Sequence, residues 1–166
     1  MTFRSTEDSN LLLRPVTVFD LYQILKWRND KTTRFFSRDH KSISYRQHLL
    51  WYLSNCIKSD QFRYISILDR KRVCFINFAR IPNQDEFCIS INMNPKYRGM
   101  NLSSRILALA ETQILKDYGN CLVVAQIRTG NNASLNLFLG SNYSGNIDKR
   151  ESFCILSKSL KVKSKN

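Results

Sequence analysis

The chain reads as an α/β protein of the α+β kind, with one mixed, mostly antiparallel central sheet flanked by helices. Three observations predict this. Residues 62–93 hold three apolar-rich segments separated by polar turns. Residues 102–114 carry Leu102, Ile106, Leu109, Ala110 and Ile114, largely at three- and four-residue spacings. Cys121–Ile127 is a continuous apolar run, followed by a short helical stretch and a final strand. A meander followed by crossover helices gives a mixed sheet.

In chain order, Leu11–Val16 is a short apolar run interrupted by Pro15, as expected of an edge strand. Thr17 offers an N-cap, with Asp20 in the first turn, and Phe19, Leu21, Ile24, Leu25 and Trp27 make an apolar helical stretch that ends at Arg28-Asn29-Asp30. Ser44 and Gln47 form a capping box for a second helix, which carries Leu49, Trp51, Tyr52, Leu53 and Ile57. Phe62–Leu68, Val73–Ala79 and Phe87–Met93 are the meander strands, with Phe87, Ile89, Ile91 and Met93 on one face. Gly119-Asn120 stops the long helix. Cys121–Ile127 is expected to be buried on both faces. Asn132–Leu139 is a short helix and Ser152–Leu160 the last strand. Residues 1–160 are expected to form a single domain, and 161–166 a basic, frayed tail.

Composition narrows the function classes. The 166 residues suit one domain with a sizeable core. No apolar run approaches the roughly 18 residues of a membrane span, and the polar start with Glu7 and Asp8 is unlike a secretion signal, so a cytoplasmic location is expected. The five cysteines include no Cys-x-x-Cys pair, which argues against zinc or any other metal and for reduced, buried thiols. Lys and Arg number 26 against 13 acidic residues, and without the four lysines of the last nine residues the chain still carries +9. Such a surface favours anionic partners, among them nucleotide cofactors, sugar nucleotides and nucleic acid. Charge alone does not choose among them.

The junction before the long helix carries the clearest chemistry. It reads Met93-Asn94-Pro95-Lys96-Tyr97-Arg98-Gly99-Met100-Asn101-Leu102-Ser103-Ser104. A strand, a loop and a helix N-terminus in that order present unpaired N–H groups and the positive end of the helix dipole to an anion. Arg98 adds charge, Gly99 allows close backbone approach, and Ser103 and Ser104 add hydroxyl donors. The segment resembles the cofactor loop of GNAT acetyltransferases, Arg/Gln-x-x-Gly-x-Gly/Ala, with Arg98 at the first position. Asn101 stands at the first glycine and Ser103 at the second small residue. Asn101 tolerates the left-handed conformation better than other side chains do.

A second segment, Asn131-Asn132-Ala133-Ser134 through Phe138 to Asn142-Tyr143, resembles the family's Asn-x-x-Ser/Ala, Leu-Tyr, Gly-Phe pattern. Phe138 occupies the place of the tyrosine that often protonates the departing thiolate, and a phenyl ring cannot do this. The resemblance implies an acetyl-CoA-dependent N-acetyltransferase with acetyl-CoA as co-substrate. Arg98, Gly99, Met100, Asn101, Leu102, Ser103, Ser104, Asn131, Ser134 and Phe138 would line the cofactor, and the Met93 backbone N–H would hold the acetyl oxygen.

The N-terminal third bears on the acceptor. Trp27-Arg28-Asn29-Asp30, Arg34-Phe35-Phe36-Ser37 and His48-x-x-Trp51 resemble GNAT enzymes that acetylate nucleotide-linked amino sugars of the pseudaminic acid pathway type. Trp27, Phe35, Phe36 and Trp51 are candidates to stack on a sugar or uracil face. Arg28 and Arg34 would pair with a diphosphate, Asn29 would assist, and His48 is a candidate base. Glu86 and Asn92 are alternatives for orienting a water, while Glu111 is expected to face solvent. The reading is therefore N-acetylation of a UDP- or dTDP-linked amino-deoxy sugar in surface-glycan biosynthesis. Other small amines, protein N-termini of the ribosomal-protein type and a non-catalytic nucleic-acid-binding module are the alternatives. Nucleic acid ranks below a small amine as partner, and a homodimer stays open.

Overall fold

A computed structural model describes residues 10–56, 61–147 and 152–162. Its elements run β1 (Leu11–Pro15), α1 (Leu21–Arg28), α2 (Lys31–Phe36), α3 (Tyr45–Cys56), β2 (Gln61–Leu68), β3 (Lys71–Arg80), β4 (Glu86–Met93), α4 (Ser103–Asp117), β5 (Cys121–Arg128), α5 (Asn132–Gly140), β6 (Ser144–Asn146) and β7 (Phe153–Leu160). Single 3₁₀ turns precede α1 and follow β4. The helix α2 and the three-residue β6 are additions to the expected order. Neither is long enough to show a period. Of the expected tail, only residues 161 and 162 are described.

Local chemistry sets most boundaries. Asp69 and Arg70 both take positive φ, which gives β2 and β3 a tight hairpin turn whose twist matches theirs. Ser44 and Gln47 exchange the expected capping bonds at the start of α3. Ile106, Leu107, Ala110 and Ile114 make one stripe of α4 that is shut off from water. Each of its larger side chains contributes about 2 kcal/mol of hydrophobic burial.

The seven strands lie in the order β1-β2-β3-β4-β5-β7-β6. All neighbours are antiparallel except β4 and β5. Alternation along β3 sorts the two cores. Cys74, Ile76 and Phe78 join α4 and α5 in the larger one, while Phe75 meets Ile24 and Trp27 of α1 together with Ile65.

Strand β5 and Glu111 depart from expectation. Strand β5 alternates: Leu122 and Val124 are half-buried and Gln126 is exposed, because only its other face meets the main core. Glu111 does not face solvent. It is buried on α4 and pairs with Lys158 of β7 at 2.6 Å, while the Lys158 ammonium lies 5.5 Å from the Tyr143 ring centre. Burial, and then the Glu111 charge, push the Tyr143 phenol above its ordinary range.

Candidate functional site

The parallel ladder between β4 and β5 is short. It pairs Glu86–Ile89 with Leu122–Ala125 and then stops, although β4 continues to Met93 and β5 to Arg128. Beyond Ile89 and Ala125 the strands part and leave a wedge whose edges carry main-chain polar groups. The chain leaving the open end of β4 runs directly into the loop before α4.

That loop is shaped to present N–H groups. Gly99 has φ +75° and Asn101 φ +54°, so the backbone reverses twice within three residues. Helix α4 has Leu102 at its N-cap, and no side chain caps it. Its first-turn amides are therefore left for an outside acceptor, with the helix dipole behind them. Leu102 is buried in the core and anchors the turn, while Gly99 and Met100 are exposed. A phosphate-bearing ligand fits this donor set. Asn131 caps α5, accepting from the Ser134 N–H at 3.2 Å. Phe138 faces inward and meets Tyr143 edge-to-face at 4.9 Å. It forms the packing behind the site and carries no group for proton transfer.

Helix α2 roofs the wedge. Thr33 donates to Asn92 of β4 at 3.3 Å, and Arg128 of β5 donates to the Ser37 carbonyl at 3.0 Å. Arg38 also bonds Gln126 of β5. Four arginines gather around residues 37–40. Arg28 donates to the Asp39 carbonyl, Arg34 offers its carbonyl to His40, and Arg38 and Arg128 both lie over the Phe153 ring. One nitrogen each of Arg28, Arg34 and Arg128 is buried without a hydrogen-bond partner. Burial draws the Arg28 pKa below its ordinary value; the Asp39 charge offsets part of this, and the Arg34 charge adds to it. Phe35 stands exposed on the same helix.

The other predicted acceptor residues lie elsewhere. Trp27 is 1% exposed and belongs to the α1 core, so its ring cannot stack on a sugar. The Asn29 amide is spent in a two-way clasp with the backbone of Ile43. His48 is buried against the first turn of α1, with a backbone hydrogen bond at Leu21. Arg28 and Asp30, at the other end of α1, are the residues tied into the roof. Burial lowers the His48 pKa, and its ring stacks on Trp51, which Arg63 also covers. His48 is therefore packed into the α1–α3 contact, whereas Trp51 stands exposed on α3. Glu86 sits at the closed end of the wedge, and the Asn92 side chain is engaged by Thr33. Sequence reasoning missed Asp30, Thr33, Arg38 and Arg128. The Asp-x-x-Thr spacing of an N-cap could have revealed the first two, since Asp30 does cap α2.

A parallel strand pair opening onto an uncapped helix N-terminus, built on a mixed sheet, suits a phosphate-bearing cofactor. The acetyltransferase (GNAT) family model matches residues 21–140. The chain therefore belongs to the GNAT acetyltransferase family, and its reaction is the acetyl-CoA-dependent acetylation of an amine. Among solved structures, a domain from Methanocaldococcus jannaschii DSM 2661 matches at TM-score 0.79 and 21% identity, over 92% of this chain and 100% of that one. Spermidine N-acetyltransferase from Vibrio cholerae, in complex with CoA and spermine, matches at 0.79 and 11%, over 90% and 95%. Aminoglycoside acetyltransferase AAC(6')-Ib with coenzyme A matches at 0.74 and 13%, over 90% and 95%. No curated protein sequence matches. Among the described residues no helix is long and apolar enough to cross a membrane, and no group of three or more His, Cys, Asp or Glu side chains could hold a metal ion.

Proposed function

We propose that this enzyme acetylates the amine of a nucleotide-linked amino-deoxy sugar, of the UDP or dTDP kind. The observation that carries the reading is the gathering of four arginines, Arg28, Arg34, Arg38 and Arg128, beside the roof of the wedge. Clustered guanidinium groups favour an anion, and a diphosphate supplies oxygens for several at once. The exposed Phe35 ring offers a stacking face for a base or sugar. Spermine and aminoglycosides, which appear with the structural neighbours, are polycations, and four arginines at the roof would repel them.

In the reaction the neutral amine attacks the thioester carbonyl. The new C–N bond forms, the C–S bond breaks, and the ammonium proton is lost as the thiolate gains one. In this reading acetyl-CoA lies along the wedge with its pyrophosphate on the amides from Gly99 to Ser104. The Met93 backbone N–H serves the acetyl oxygen, and Asn131 and Ser134 flank the pantetheine arm. The thiolate proton comes from a group other than residue 138.

Release of CoA measured against a panel of acceptors tests the proposal. UDP- or dTDP-amino sugars are expected to be turned over, and activity confined to spermidine, aminoglycosides or peptide amines would overturn it. Arg34→Ala and Arg128→Ala are each expected to raise KM for the nucleotide sugar about tenfold or more, with a smaller change in kcat, because the contact is to a remote part of the substrate. Steady-state kinetics on purified variants provide the check.

A further inference from the structure

Arg98 stands where a positive charge for the cofactor phosphates was expected, yet its guanidinium is already engaged on the protein. One terminal nitrogen lies 2.7 Å from the Asp30 carboxylate, and the other donates to the Thr33 hydroxyl at 2.8 Å. The same Asp30 oxygen accepts from the Thr33 N–H at 3.2 Å, and the Thr33 hydroxyl passes its own proton toward Asn92 of β4. Arg98 and Asp30 are each about a quarter to a third exposed, at 32% and 25%, so the pair is only partly screened by water. Four residues from three separate elements thus close into one connected cluster around Arg98.

We infer that this clasp is a positioning device for the cofactor loop: Asp30, Thr33 and Asn92 hold the Arg98 side chain so that the backbone just after it is fixed. The next residue, Gly99, and then Asn101 occupy the left-handed region, where the chain has several alternative paths. Anchoring Arg98 removes those alternatives before the ligand arrives. The amides from Gly99 to Ser104 then converge without a further ordering cost. The inference concerns the acetyl-CoA side alone and does not depend on which amine is acetylated. It gives α2 a second duty. Its N-terminal end braces the cofactor loop, and its C-terminal end meets β5 through Ser37 and Arg38.

If the Arg98 side chain served the phosphates directly, Asp30→Asn would free it and remove a nearby negative charge, and CoA would bind more tightly. If the clasp positions the loop, the same change loosens the backbone cradle and CoA binds more weakly. Calorimetric titration of the purified protein with CoA needs no acceptor and measures this directly. Asp30→Asn is expected to raise the CoA dissociation constant about tenfold, and Arg98→Gln by a similar factor. The double variant should be no weaker than either single one, because both break the same link. Thr33→Val is expected to weaken binding about threefold by the same route, and it serves as the reading if Asp30→Asn fails to fold. Unchanged or tighter CoA binding in Asp30→Asn, or in Thr33→Val in its place, would overturn the inference. So would additive losses in the double variant.

Discussion

Replacing Asp20 with alanine is expected to cost about 3 kcal/mol of folding stability, near the lower end of what breaking a buried ion pair costs. The carboxylate is fully shut off from water, at 0% exposure. It accepts from two nitrogens of Arg14 at 2.7 and 2.8 Å, from Arg72 at 2.6 Å, and from the N–H and hydroxyl of Thr17. These bonds tie β1, the turn before α1 and β3 together. Without the carboxylate, two arginines lose their partner and the turn loses its internal cap. Arg14 and Arg72 retain some contact with water, at 34% and 40% exposure, which holds the loss below that of a sealed pair. For a domain of this size the melting temperature should fall by about 10 °C, as thermal unfolding followed by circular dichroism would register.

The same group gives the fold an acid limb. Burial by itself would raise the Asp20 pKa, but hydrogen bonds from Arg14, Thr17 and Arg72 outweigh it and hold the group well below the ordinary carboxylate range. A depressed folded-state pKa means the unfolded chain takes up the proton first. Stability from Asp20 is therefore complete above about pH 5 and declines as pH falls through the unfolded value near 3.9 and toward the folded one. Asp20→Ala lacks this contribution. Its unfolding free energy should fall less steeply below about pH 5 than that of the parent, and parallel acid limbs would contradict the assignment.

Replacing Asn101 with valine is expected to weaken acetyl-CoA binding about thirtyfold or more, the largest single effect on the cofactor side. Asn101 has φ +54°, a region in which a β-branched side chain is a clear outlier. Valine would either store about 1–3 kcal/mol of backbone strain or leave the region. Leaving it turns the amides next to Ser103 and Ser104 away from their common focus. Asn101→Gly restores the family's usual residue and is expected to bind at least as well as the parent. The pair of variants separates backbone conformation from side-chain chemistry. If Asn101→Gly also lost binding, the asparagine amide itself would be the ligand. If Asn101→Val bound normally, the cofactor would not rest on this loop. A thermal-shift titration with acetyl-CoA reads both.

Several features were legible in the residues because their causes are local. The Ser44–Gln47 box, the Gly119-Asn120 stop, the period of α4 and the polar turn at Asp69 involve neighbours a few positions apart. The junction before α4 was legible for the same reason: a strand end, a glycine and a helix start are contiguous. Helix α2 was missed because six residues are too few to establish a period. The burial of Trp27 and His48 was not legible, because an aromatic or imidazole ring beside a helix has the same appearance in sequence whether it faces a core or a ligand.

By itself, then, the sequence determined the α/β class, most element boundaries and the strand–loop–helix junction before α4, all of which follow from short-range backbone preference and apolar periodicity. Only the tertiary structure decided which distant residues meet around α2. Arg98 meets Asp30 across 68 residues, and Arg128 meets Ser37 across 91. Such partners are chosen by how the sheet twists and where β4 and β5 part. Charge complementarity at 3 Å acts only after the chain has folded to bring the groups together, so no local pattern can announce it.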